Sequence, residues 1–169
     1  MKTLLTFLAF IFCNCIYSQN CNCETFIKID YIKDIKVYSK PKGKLIFKVK
    51  NDTLKEDFVS LIILKKSLSY YYVSLINEQV GKERKGWIKK SEPIAIYARN
   101  YGDTELNLYE KPNVDSKVKF KIEKWYNDMF EVLNCENKWL YVKLKTEDKI
   151  YEGWLEKNMQ CSNQYTTCN

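Results

Sequence analysis

The chain has 169 residues, 46% of them apolar and 15% aromatic, with five glycines, three prolines and a formal charge of +7. That is room for one medium domain or two small ones around a core, and it excludes a disordered, collagen-like or linker-like chain. Histidine is absent, which excludes Ser-His and Cys-His nucleophile pairs and every His-based metal centre, and the scattered lysines with only two arginines lack the basic block of a nucleic-acid surface.

The chain opens on Lys2 and a largely apolar run, "LLTFLAFIFCNCI", from Leu4 to Ile16, followed by "YSQ". This is the pattern of an export leader, residues 1–18, with cleavage after Ser18 and Gln19 as the mature N-terminus. The run is too short to span a bilayer comfortably, and no later stretch approaches 18 apolar residues. The mature chain is therefore expected to carry no transmembrane segment and to be exported, periplasmic or extracellular. A lipid-anchored cysteine wants a small residue before it, and Phe12, Asn14 and Asn20 precede the candidates, so a lipoprotein is the weaker reading. Losing the leader removes Lys2 and leaves a surplus of +6, which either keeps the protein in solution or favours anionic envelope partners.

Five cysteines remain, Cys21, Cys23, Cys135, Cys161 and Cys168. "CNC" at 21–23 is half of a metal site for which nothing supplies the other half, so neither metal nor other cofactor is expected.

Short runs rich in Val, Ile, Phe and Tyr then follow one another: "KLIFKV" (44–49), "FVSLIIL" (58–64), "YYYVSLI" (70–76) and "GWIKK" (86–90). They predict strands, with one helical turn possible in "KNDTLKEDF". The piece Ile94–Ala98 is strand-like, and the polar "RNYGDTE" after it sets a break near residues 100–102. Beyond it come "KVKFKI" (117–122), "MFEVL" (129–133) and "WLYVKL" (139–144).

The second set echoes the first. "IKVYSKP" (35–41) matches "LNLYEKP" (106–112), "YYVSL" (71–75) matches "LYVKL" (140–144), and Gly86-Trp87 matches Gly153-Trp154, at offsets of 71, 69 and 67. Three blocks in one order with a small drift indicate a duplicated unit, residues 27–97 and 102–158, with a tail at 159–169. In the tail, "CSNQYTTC" predicts a local disulfide between Cys161 and Cys168; the competing pair is Cys135 with Cys161.

At these residues the chain resembles the bacterial SH3-like domain family, small β-barrels of exported and envelope proteins. The opening "LNLYEKPNVDSKVKFKI" (106–122), the middle "KWLYVKL" (138–144) and the closing "EGWLEK" (152–157) fit the family's three ordered motifs. The first copy keeps "IKVYSKP", "YYVSL" and "KGWIKK", but has a shorter segment after Pro41 and no Trp matching Trp139. Tyr38 and Tyr109 stand where the family often has Arg, and Lys40 and Lys111 where Gly is frequent, so no subfamily's ligand set carries over. The resemblance implies an all-β fold of two small SH3-like β-barrels in tandem, and a broad binding role.

Adjacent acids occur at Glu56-Asp57 and Glu147-Asp148, but both pairs sit in turn-like stretches where carboxylates are solvated, so no catalytic residue is assigned and the chain is read as no enzyme. Trp87 and Trp154 read as core or barrel-closing residues. The candidate ligand-binding rings are Tyr70, Tyr109, Trp125, Tyr126 and Trp139, since exposed rings suit carbohydrate or peptide stacking; the competing reading has them cover a small core. The expected function is recognition of an envelope component, a cell-wall polymer or an envelope protein. The alternative is a secreted inhibitor or immunity-type protein that binds a folded enzyme.

Overall fold

The computed structural model describes residues 20–77, 81–99, 102, 105–124, 126–165 and 168; the leader and Trp125 lie outside them. The described chain is all-β. Its strands are β1 (Asn20–Ile27), β2 (Ile35–Tyr38), β3 (Leu45–Val49), β4 (Ser60–Lys66), β5 (Tyr70–Ile76), β6 (Arg84–Lys89) and β7 (Ile94–Ala98). There follow β8 (Leu106–Tyr109), β9 (Val118–Ile122), β10 (Phe130–Glu136), β11 (Trp139–Lys145), β12 (Ile150–Leu155) and, after a 3-10 turn at Lys157–Met159, β13 (Gln160–Cys161).

Alternation decides which side of each strand is covered. Leu140, Val142 and Leu144 of β11 are buried while Tyr141 and Lys143 between them are only partly so, and Lys119 and Lys121 of β9 are exposed. "KNDTLKEDF" forms no helix. Asp52 and Asp57 bridge each other across a turn, and Asp52 Oδ1 accepts the amides of Leu54 and Lys55. Asp57 itself is 6% exposed, which corrects its reading as a solvated acid; Glu147 and Asp148 do lie in an exposed turn.

All pairings are antiparallel, in the order β3-β2-β6-β5-β4-β1-β7-β10-β11-β12-β8-β9, with β13 added to β7. The path does not close; β3 and β9 are its ends. Its two halves repeat one pattern. β2 pairs with β3 and β6, and β5 with β6 and β4. In the same way β8 pairs with β9 and β12, and β11 with β12 and β10. Matched positions share partners: Tyr38 pairs with Trp87 and Tyr109 with Trp154, and Val73 faces Gly86 as Val142 faces Gly153.

β1 is a strand the sequence reading did not foresee. It pairs with β4, as β7 pairs with β10, so β7 opens the second half. β7 also pairs with β1 through Ala95 and Ile94, which closes the first half, and β13 pairs with β7 in its turn. One strand thus belongs to both halves.

The core is correspondingly continuous. Ile35, Val37, Val73 and Ile88 from the first half and Leu106, Leu108, Val142 and Leu155 from the second belong to one buried cluster. Full burial of each such side chain is worth about 1.5–3 kcal/mol. Three further ties cross the junction. Cys23 of β1 is disulfide-bonded to Cys135 of β10, with Cα atoms 6.4 Å apart. Tyr71 Oη donates to the carbonyl of Leu133 at 2.9 Å, and the Lys66 ammonium meets Glu136 and Asn134 Oδ1, each at 3.2 Å.

Cys161 and Cys168 form the second disulfide, Cα atoms 5.6 Å apart, and the bond of Cys135 to Cys23 removes the competing pair. The tail does not stop there. Tyr165 packs its ring against Phe58 and donates to the carbonyl of Glu56, while Gln164 Nε2 donates to Ser60 Oγ. Gln164 and Tyr165 thus lie against the first half.

Candidate binding surface

The Gly-Trp pair does two jobs on opposite faces of one strand. Gly86 and Gly153 lie on the core face where the preceding strand crosses. A Cβ at Gly86 would overlap Val37 Cγ1, and one at Gly153 would stand 3.0 Å from both Leu108 Cβ and the Tyr109 carbonyl oxygen. Glycine is what lets β2 and β8 come this close. The tryptophan beside it points the other way, toward the face opposite the core. Trp154 is nonetheless buried, at 9% exposure, and Trp87 half-buried, while Ile88 and Leu155, one position on, belong to the continuous core.

On that outer face each half carries four rings. In the first, Tyr38 stands edge-on to Tyr70 at 6.1 Å, and Tyr72 packs on Trp87 at 5.3 Å. In the second, Tyr109 stands edge-on to Trp139 at 5.5 Å, and Tyr141 packs on Trp154 at 5.3 Å. The positions correspond one to one, at offsets of 71, 69, 69 and 67, and three of the four keep the same residue. Tyr70 fills the place of Trp139, so the first copy has an aromatic there after all. Edge-on and tilted pairs hold these rings in fixed orientations.

The structure thus brings Tyr109 and Trp139 together and puts Tyr70 at the equivalent point of the other half. Tyr70 and Tyr109 are largely covered, at 9% and 8% exposure, while Trp139, Tyr72 and Tyr141 are half-buried and offer ring surface. Tyr126 is separate. It lies beside Tyr151, which stands edge-on to Phe120, with the ammonium of Lys149 4.9 Å from the Tyr151 ring and 5.4 Å from Phe120. Sequence reasoning missed Tyr38, Tyr72, Trp87, Tyr141 and Trp154 as members of the set. The signal was available: the 69-residue offset that aligns "YYVSL" with "LYVKL" also aligns Tyr70-Tyr71-Tyr72 with Trp139-Leu140-Tyr141.

Burial, then the Glu152 carboxylate, pushes the Tyr141 hydroxyl up, and burial followed by Glu156 does the same for Tyr109. Tyr141 Oη donates to Glu152 at 2.8 Å and accepts from Lys119 at 3.4 Å, which fixes its direction. Such an arrangement has the chemistry to stack against and hydrogen-bond a ligand. Among the described residues no group of three or more Cys, Asp or Glu side chains is placed to hold a metal ion, and no helix is long and apolar enough to cross a membrane. Compared with models of known protein families and with curated proteins, the chain matches none.

Proposed function

We propose that the chain is an exported, non-catalytic binding protein of two SH3-like units, residues 27–97 and 102–158, that recognises a cell-envelope component, either a peptidoglycan-derived polymer or an envelope protein. The observation that carries this reading is the twofold occurrence of the aromatic set Tyr38, Tyr70, Tyr72, Trp87 and Tyr109, Trp139, Tyr141, Trp154 on the face opposite the core. A core needs no rings on its far side, and two presentations of one set on a rigid body favour a ligand that repeats. The two disulfides support export, because cystines persist in oxidising compartments.

The test is co-sedimentation of the mature protein with purified sacculi, beside capture of folded proteins from the envelope fraction. Sedimentation should fall about ten-fold when Tyr72 and Tyr141 are both changed to alanine, since an aromatic contact is worth about 0.5–1.5 kcal/mol per ring. Equal retention of the double variant would remove the aromatic face from the reading. Capture of a single folded enzyme, without sedimentation, would replace it by the inhibitor reading.

A further inference from the structure

Three cysteines meet where the two halves join. Cys23 of β1 is bonded to Cys135 of β10, and Cys21, two residues earlier on the same strand, keeps its thiol. Alternation puts Cys21 and Cys23 on one face of β1, and all three residues are buried. The Cys21 thiol donates to the carbonyl of Cys135 itself at 3.3 Å. Its backbone is fastened to the same hairpin: the Lys138 amide donates to the Cys21 carbonyl at 2.8 Å, and the Asn137 amide to that of Asn20 at 3.1 Å. One sulfur of the hairpin thus has two candidate partners on β1.

The surroundings suit either partner. With Cys21 as the thiol, the Cys135 carbonyl accepts its hydrogen. With Cys23 as the thiol, the carbonyls of Trp139 and Cys21 stand 3.4 and 3.7 Å from its sulfur, so its hydrogen would find an acceptor too. The two bonds would close loops of 112 and 114 residues, which are equivalent in the chain-entropy account. β1 also carries slack at this point. From Asn20 to Cys23 it advances three residues while β4 advances two, from Lys65 to Ile63, and Asn22 sits at this bulge with φ 54°. Moving the extra residue along the strand shifts Cys21 without disturbing the pairing from Cys23 onward.

We infer that Cys21, Cys23 and Cys135 form a thiol–disulfide exchange site, and that the staple between the two halves moves between Cys23 and Cys21. The Cys21 thiol gives its proton to solvent and attacks the Cys135 sulfur as the thiolate. The Cys21–Cys135 bond forms, the Cys23–Cys135 bond breaks, and Cys23 leaves as a thiolate that takes up a proton. One thiol and one disulfide stand on each side of the step, so no oxidant or reductant enters.

Charged groups from several elements face the attacking sulfur. Burial pushes the Cys21 thiol up, while Lys66 of β4 and Lys90 after β6 favour the thiolate and Glu136 of β10 opposes it. Tyr71 of β5 lies among them, with the Lys90 ammonium 5.0 Å from its ring. The exchange has a consequence at the surface. Asn20, Cys21 and Asn22 form one wall of a groove of about 620 Å³ at the junction, and Asn137 and Lys138 another, so moving the staple reshapes that groove.

The test uses the mature protein, with thiols counted by alkylation after denaturation in acid, where exchange stops. The variant C23A should contain no thiol, with Cys21 bonded to Cys135, and its urea midpoint should stay close to the parent's. C21A/C23A, which leaves Cys135 no partner on β1, should contain one thiol and unfold at a clearly lower urea concentration. In the parent, held without reductant at about pH 8, fragmentation of the peptide that carries Cys21 and Cys23 should find the alkyl label on both, in amounts within about ten-fold of each other. The assignment is overturned if C23A shows two thiols, or if the parent carries label on Cys21 alone. Label on Cys135 would put the attack on the Cys23 sulfur and overturn it as well. The exchange does not depend on what the protein binds, so its failure leaves the envelope-binding reading untouched.

Discussion

The two disulfides differ in what they tie, and their removal should show it. Cys23–Cys135 spans 112 residues and staples the opening strand to the second half, whereas Cys161–Cys168 spans 7 and closes the tail. In the chain-entropy account the long loop contributes about 4.8 kcal/mol at 25 °C and the short one about 2.4. Cys23 and Cys135 are fully buried, so alanine is the right replacement; a serine hydroxyl would be hidden from water. The double variant C23A/C135A should therefore lose about 5 kcal/mol, and C161A/C168A about half of that. Equilibrium urea unfolding followed by tryptophan fluorescence reads both, with the midpoint falling in proportion if the slope is unchanged. The larger loss also matches the place of the staple, since β1 contacts β4, β7 and β10. A tail variant that loses as much as the long-range one, or a C23A/C135A variant that loses less than about 1 kcal/mol, would refute the reasoning.

Gly153→Ala should cost about 1–3 kcal/mol, because the new methyl meets backbone at 3.0 Å and β8 must move off β12; the thermal midpoint checks it. Tyr71→Phe strands the Leu133 carbonyl at the junction and should cost about 1–3 kcal/mol in urea, whereas Tyr72→Phe should cost nothing measurable. Burial pushes the Glu92 carboxyl up, so the fold favours its protonated form and loses that contribution as pH rises through the raised value. Glu92→Gln should accordingly raise the urea midpoint at pH 7, with the gain vanishing below the ordinary glutamate range.

Much of this was legible in the residues. "YYYVSLI" and "WLYVKL" mark β5 and β11 within a residue, because alternating side chains on a half-covered strand leave a local signature. β1 was not legible, although "NCNCETFI" alternates too, since its partners Leu61 and Ala95 are distant and its cysteines were weighed only as half of a metal site with no other half. The Cys23–Cys135 bond has no local signal at all, whereas Cys161–Cys168 does, because seven residues constrain geometry and 112 do not. Of the candidate rings, Tyr109 and Trp139 meet only because β8 crosses β12, a contact made possible by a glycine whose role shows when the strands are laid across each other.

The shared strand β7 makes this architecture a polymer in principle. Each unit needs one strand to begin it and one to end it, and here the end of the first is the beginning of the second. A string of such units requires one more boundary strand than it has members, so it lengthens by continuing the last strand, with no linker to insert. The boundary after the second unit is treated differently from the one between the units. β13 is two residues long, and the chain turns back through the Cys161–Cys168 loop to lie on Phe58 and Ser60 of the first unit. A third copy grafted after Cys161 would have to displace this segment, and so undo the clasp that joins the second unit to the first.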